Sequence, residues 1–264
     1  SNKIKLHGTL FDILFKQQFF FIIGSNEDIK VARINIKGKF SDIVSIGLSS
    51  DQEQDIFKKI SKVYTSQMNL FGVKKLSRMS VCFGELDTEE NITPAINYKG
   101  SIIYNLINNN TPTIHTVAHE HMHNYINYDI IGHKSTNAWY TEGFTDYYAS
   151  KINLASGIIS FEEYINDYNR AIARNYADFE RGKLYSEFGL LSHSLTYVRG
   201  RILAQELDNH IQKSTNGKYS LDDIIAKSLR EKNFSMQTLK VELKNLTGSV
   251  SRLETPIHPI LLCD

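Results

Sequence analysis

Two histidines four residues apart, with a glutamate directly after the first, stand at His119-Glu120-His121-Met122-His123. The pattern is HExxH, and its chemistry depends on a helix. Residues four apart lie about one turn apart on one face. His119 and His123 can therefore turn ring nitrogens toward one ion at about 2 Å. Glu120 falls about 100° round from His119, too far to join them as a ligand. That position suits a carboxylate that takes a proton from a water on the ion's open side.

A catalytic zinc site needs a third protein ligand. Glu142 meets that need, after 18 intervening residues that let one helix end, a loop turn and a second helix begin. Gly143 beside it has no side chain and is expected to let the second helix come close to the first at the metal. Asp146 falls one turn after Glu142 on the same face. It is a candidate to accept the second N–H of a ligand histidine and so fix that ring.

The segment Trp139-Tyr-Thr-Glu-Gly-Phe-Thr-Asp-Tyr-Tyr148 resembles the second-ligand helix of the glycyl aminopeptidase family of gluzincins. That family shares a thermolysin-like catalytic domain with the larger membrane-alanyl aminopeptidase family, and both use HExxH, 18 residues and Glu. Gly157-Ile-Ile-Ser-Phe-Glu-Glu-Tyr164 is similar to the family's next helix start, and 197–208 to its tyrosine-bearing helix. The resemblance spans about 111–230. It implies one Zn2+, a peptide or protein substrate, and a role for Tyr197 in stabilising the tetrahedral oxyanion. A phenol suits that role as a neutral donor that strengthens as charge develops.

The chain departs from the family before the HExxH motif. A Gly-Gly-Leu-Glu-His-like strand usually supplies a glutamate for the substrate's amino terminus. Here the corresponding stretch is Asn97-Tyr98-Lys99-Gly100-Ser101, with no acid, and Glu85 is a weak substitute. By comparison with the family, the N-terminal β-domain is expected to be reduced to about 50 residues, and no PDZ-like domain is expected within the given sequence.

The positioning elements follow from periodicity. Phe19–Ile23, Val31–Ile36 and Ile43–Ile46 alternate as strands, with Gly24, Gly38 and Gly47 as turns. Ile56, Ile60, Val63 and Met68 recur at helical spacing over 51–71. Strands are expected at 78–84 and 101–107, with a polar loop between them. Thr111-Pro112 opens the HExxH helix, expected to run to about Tyr128. Helices are expected at 141–154, from the capping box at Ser160–Glu163, and at 188–213, 220–231 and 235–246. Strands first and helices later imply an α+β fold, a small mixed sheet followed by a mostly helical region, and the family resemblance implies that this region is a thermolysin-like (gluzincin) domain. The expected division is a β-rich segment at 1–50 and a catalytic domain at 51–264.

With 264 residues, 41% hydrophobic and 22% charged, the chain has a globular composition. Its net charge of +1 creates no global field to gather nucleic acid, and none is expected as a partner. The apolar run at Phe19–Ile23 is too short to span a bilayer. Ser1-Asn2 lacks an initiator Met, as a processed end or vector scar would, so the expected soluble location is either cytoplasmic or secreted after removal of a signal. Cys82 and Cys263 are read as free thiols rather than a disulfide.

The other histidines (His115, His121, His133, His193) read as packing or surface groups, Tyr147-Tyr148 as core, and Arg199 as either a solvated charge or a partner of Tyr197. The expected activity is zinc-dependent peptide-bond hydrolysis, aminopeptidase-like, with a metal-bound water activated by Glu120 and the oxyanion held by zinc and Tyr197. Endopeptidase action, or a catalytically idle relative that binds peptides, are the competing readings.

Overall fold

The computed structural model describes residues 29–36, 39–46, 49–71, 79–84, 95–98, 101–105, 114–126, 138–180, 193–231 and 234–250. The strand expected at Phe19–Ile23, Cys263, His133 and Glu85 lie outside them, and nothing describes the Cys82 side chain. The chain divides into two compact units, one from Ser1–Asn69 and Val73–Asn124, the other from Leu70–Gly72 and Tyr125–Asp264.

The first unit holds a five-stranded sheet. Strands β1 (Ile29–Ile36) and β2 (Lys39–Ile46) form an antiparallel hairpin. Helix α1 (Ser50–Phe71) then crosses over, and β3 (Met79–Gly84) runs parallel to β2. Strand β5 (Ser101–Asn105) runs parallel to β3, and β4 (Ala95–Tyr98) lies antiparallel to β5, giving the order β1-β2-β3-β5-β4. One sheet therefore takes strands from both sides of residue 50. The four-residue β4 sits where a loop was expected, just after Pro94. So short a segment shows almost no alternation, and its pairing with β5 makes it a strand.

Helix α1 begins with a reciprocal cap: Ser49 N–H donates to Gln52 Oε1 at 3.0 Å and Gln52 N–H to Ser49 Oγ at 3.3 Å. Its buried stripe is Ile56, Ile60, Val63, Tyr64, Gln67 and Met68. A glutamine in that stripe breaks the apolar pattern. At its start, the Ser45 hydroxyl of β2 donates to the buried Glu53. Helix α2 (Ile114–Met122), which carries the HExxH motif, packs on β4 and β5.

The second unit is helical: α3 (Ala138–Ala155), α4 (Phe161–Glu180), α5 (His193–Ser214), α6 (Leu221–Glu231) and α7 (Met236–Thr247). Buried side chains surround α3 on every face, as in a core helix. Helix α5 packs along it closely. A Cβ on Gly143 would stand 2.2 Å from Gly200 Cα and 2.7 Å from Arg201 N. The glycine beside Glu142 thus serves the crossing of α3 with α5. It had been expected to serve the HExxH helix, and the correction is steric: the backbone filling the space of its missing side chain is that of Gly200.

Caps close the later helices. Ser160 and Glu163 form the expected capping box, at 2.7 and 3.1 Å. The buried Asp208 of α5 accepts the Leu221 N–H that opens α6, at 2.8 Å. Ser235 caps α7 through Thr238 N at 3.0 Å, and Gly248 ends it at φ 75°, a left-handed conformation that glycine adopts without a Cβ penalty. Among the described residues no helix is long and apolar enough to cross a membrane.

Candidate metal centre

Helix α2 ends sooner than its sequence suggests. It was expected to continue to about Tyr128, but the regular helix stops at Met122 and a turn follows. Asn124 is the cause: its backbone N–H and its Nδ2 both donate to His121 O, at 3.1 and 2.8 Å. This tightens the last turn. His123 still keeps the helical bond from its N–H to His119 O, at 3.3 Å. The His119 and His123 rings consequently remain neighbours, with centroids 4.9 Å apart and planes at 85°. His119 is buried and His123 half-buried.

Glu142 lies in the first turns of α3 and is 8% exposed. A carboxylate this buried costs several kcal/mol unless positive charge or hydrogen bonds compensate it. Among the described residues, His119, His123 and Glu142 form a group that could hold a metal ion: each offers one ligand atom, and these atoms all lie within 4.8 Å of one another. Ligands at about 2 Å from a tetrahedral ion sit roughly 3.3 Å apart, inside that bound. Two imidazoles and one carboxylate form a donor set suited to zinc, and the residues present fit that ion.

Glu120 is half-buried on α2, next to His119. Tyr197 is half-buried on α5, one turn before Gly200. Within the second unit, the Gly143–Gly200 approach brings together the backbones that carry Glu142 and Tyr197. Asp146 is half-buried and accepts from Arg201 Nη1 at 3.4 Å through Oδ2. Arg201, itself buried, also donates to Asp167 of α4 at 2.6 Å. Sequence reasoning passed over Arg201, because a basic residue on a helix carries no local sign that it will be buried between two acids.

The remaining candidates sort plainly. His121 is fully buried, and burial lowers its pKa to about 3. Tyr147 and Tyr148 are core, as expected; Tyr147 donates its hydroxyl to Asp208. Arg199 donates to the buried Asn175 at 3.0 Å, which makes it a tie to α4. His115 is half-buried on α2, and His193 opens α5.

The chain matches no protein-family model and no curated protein. Solved structures do resemble it. An aminopeptidase N family protein from Idiomarina loihiensis superposes with a TM-score of 0.63 at 16% identity, over 84% of this chain and 45% of that one. Yeast LTA4 hydrolase, solved with bestatin, superposes with a TM-score of 0.64 at 14% identity, over 88% and 40%. This chain shares their fold. It spans less than half the length of either.

Proposed function

We propose that this chain is a zinc-dependent peptide hydrolase of aminopeptidase-like type, with His119, His123 and Glu142 holding one Zn2+. The observation that carries the reading is the convergence of those three ligand atoms. The thermolysin-like fold of gluzincin peptidases, expected from sequence, agrees with the likeness to the aminopeptidase N family protein and to yeast LTA4 hydrolase.

Zinc in such a site polarises the scissile carbonyl and lowers the pKa of water toward about 7. The residues of the chain do the rest. Glu120, off the ligand face of α2, accepts a proton from the attacking water and then delivers it to the leaving amine. Tyr197 donates a hydrogen bond to the carbonyl oxygen as negative charge develops there. Asp146, held by Arg201, orients a ligand imidazole.

The test is a peptide-library digest with and without chelator, on the parent chain and on Glu120→Gln. Metal-dependent cleavage by the parent, lost in a Glu120→Gln protein that still binds zinc, is the expected result. Zinc binding with no cleavage of any peptide would favour the idle, peptide-binding relative. Cleavage of a free but not an acetylated amino terminus identifies exopeptidase action; equal cleavage of both identifies an endopeptidase.

A further inference from the structure

The face of α2 opposite the proposed ligands is held by polar contacts that the reaction does not use. His121 lies two residues from His119 and two from His123, so it points about 200° round the helix from each. Its ring is fully buried against α1. Tyr64 stacks on it with centroids 3.7 Å apart and planes at 19°. The Tyr64 hydroxyl makes no hydrogen bond among the described residues, so its part in this contact is the ring face. Gln67, 0% exposed and one turn further along α1, donates from Nε2 to Ala118 O at 3.0 Å. Its Oε1 faces Nδ1 of His121 at hydrogen-bond range.

The protons in this cluster follow from the donor inventory. Ala118 O can only accept, so the amide nitrogen of Gln67 must face it. The amide oxygen then faces His121, and Nδ1 must carry the hydrogen. One buried side chain thereby grips α2 at two points, the residue before the first ligand and the residue midway between the two. These bonds are directional, unlike the apolar contacts around them.

We propose that Gln67, with Tyr64 stacked on His121, is a positioning residue for the metal: it fixes the rotation of α2 about its own axis and so aims His119 and His123. The proposal rests on the zinc reading above. The geometry makes rotation the sensitive coordinate. An imidazole nitrogen stands roughly 6.5 Å from a helix axis, so a turn of about 5° moves it by about 0.6 Å. Metal–ligand distances tolerate only about 0.2 Å. An apolar side chain at 67 would fill the same space without setting that angle.

The experiment uses the full chain, stripped of metal and titrated with Zn2+ against a chromophoric chelator. Cobalt substitution reports ligand geometry, and the thermal transition of the metal-free protein reports stability. Gln67→Met keeps the length of the side chain and loses both bonds; it is expected to bind zinc on the order of 10–100-fold more weakly, as for lost supporting contacts of metal ligands. The double variant Gln67→Met/His121→Met replaces both polar partners with apolar ones. It should regain metal-free stability, because the His121 ring, which Gln67→Met alone would strand, and the glutamine amide are both gone, yet still bind zinc weakly with an altered cobalt spectrum.

Should Gln67→Met fail to fold, the double variant decides. Recovery of stability and zinc affinity together would make Gln67 a packing residue and overturn the proposal, as would parental affinity in Gln67→Met. A parent chain that binds no zinc defeats the metal reading itself, and is seen before any variant is made.

Discussion

At the scale of single residues, the site separates binding from chemistry. Glu142→Gln replaces the buried carboxylate of the proposed ligand set by a weak neutral donor atom. It should lower zinc affinity by at least tenfold, read by competition with a chelating dye. Tyr197→Phe removes one donor and leaves the three metal-ligand candidates untouched. The expected loss is about 10²–10³ in kcat, the usual effect of deleting one oxyanion donor, with zinc content unchanged by elemental analysis. Equal kcat for the two proteins would end the assignment of Tyr197. The two substitutions thus move different observables, which a general loss of structure could not do.

Between elements, α3 and α5 approach closely at Gly143 and Gly200. Gly143→Ala places a methyl carbon where the facing backbone already stands, 2.2 Å away at the nearest atom. A backbone cannot rotate aside as a side chain can, so the helices must part. The expected cost is about 1–3 kcal/mol or more, measured by urea unfolding. A larger fall in kcat than Ser160→Ala produces is also expected, because the backbone carrying Glu142 moves relative to that carrying Tyr197. Ser160→Ala is the control at this scale. It removes an exposed capping box, should cost about 1 kcal/mol, and should leave turnover of the folded protein unchanged.

For the whole molecule, metal and pH are the levers. Zinc at a thousand times its Kd stabilises a native state by about 4 kcal/mol. At about 2–4 °C per kcal/mol, stripping the ion should lower Tm by roughly 10 °C, restored by zinc and not by magnesium. The pH lever is Asp208. Burial alone would raise its pKa, but the Lys151 charge at 3.0 Å, the Tyr147 hydroxyl and the Leu221 N–H outweigh it, and the net shift is downward. A carboxylate lowered in the folded state stabilises it at pH above the ordinary value of about 3.9. Below that the unfolded chain takes up the proton first, and the contribution vanishes as pH falls through the folded value. Asp208→Asn should therefore be less stable than the parent at pH 7, with the gap in Tm narrowing below about pH 4. A gap independent of pH would mean that the Asp208 charge contributes nothing.

Several of these features were legible in the residues themselves. That the His119 and His123 rings would be neighbours was legible from their spacing, because a helix repeats every 3.6 residues. The Ser160–Glu163 box and the 51–71 periodicity are local in the same sense, and both elements form as read. Tyr197 was nameable only through resemblance to a family, since nothing in its own neighbourhood distinguishes it from thirteen other tyrosines. Strand β4, the partner of Gly143, the burial of Arg201 between two acids and the grip of Gln67 on His121 belong to the tertiary structure alone. Each pairs groups far apart in the chain, as Gln67 and His121 are by 54 residues. Local spacing can state which atoms face one way along an element; only packing decides what they face.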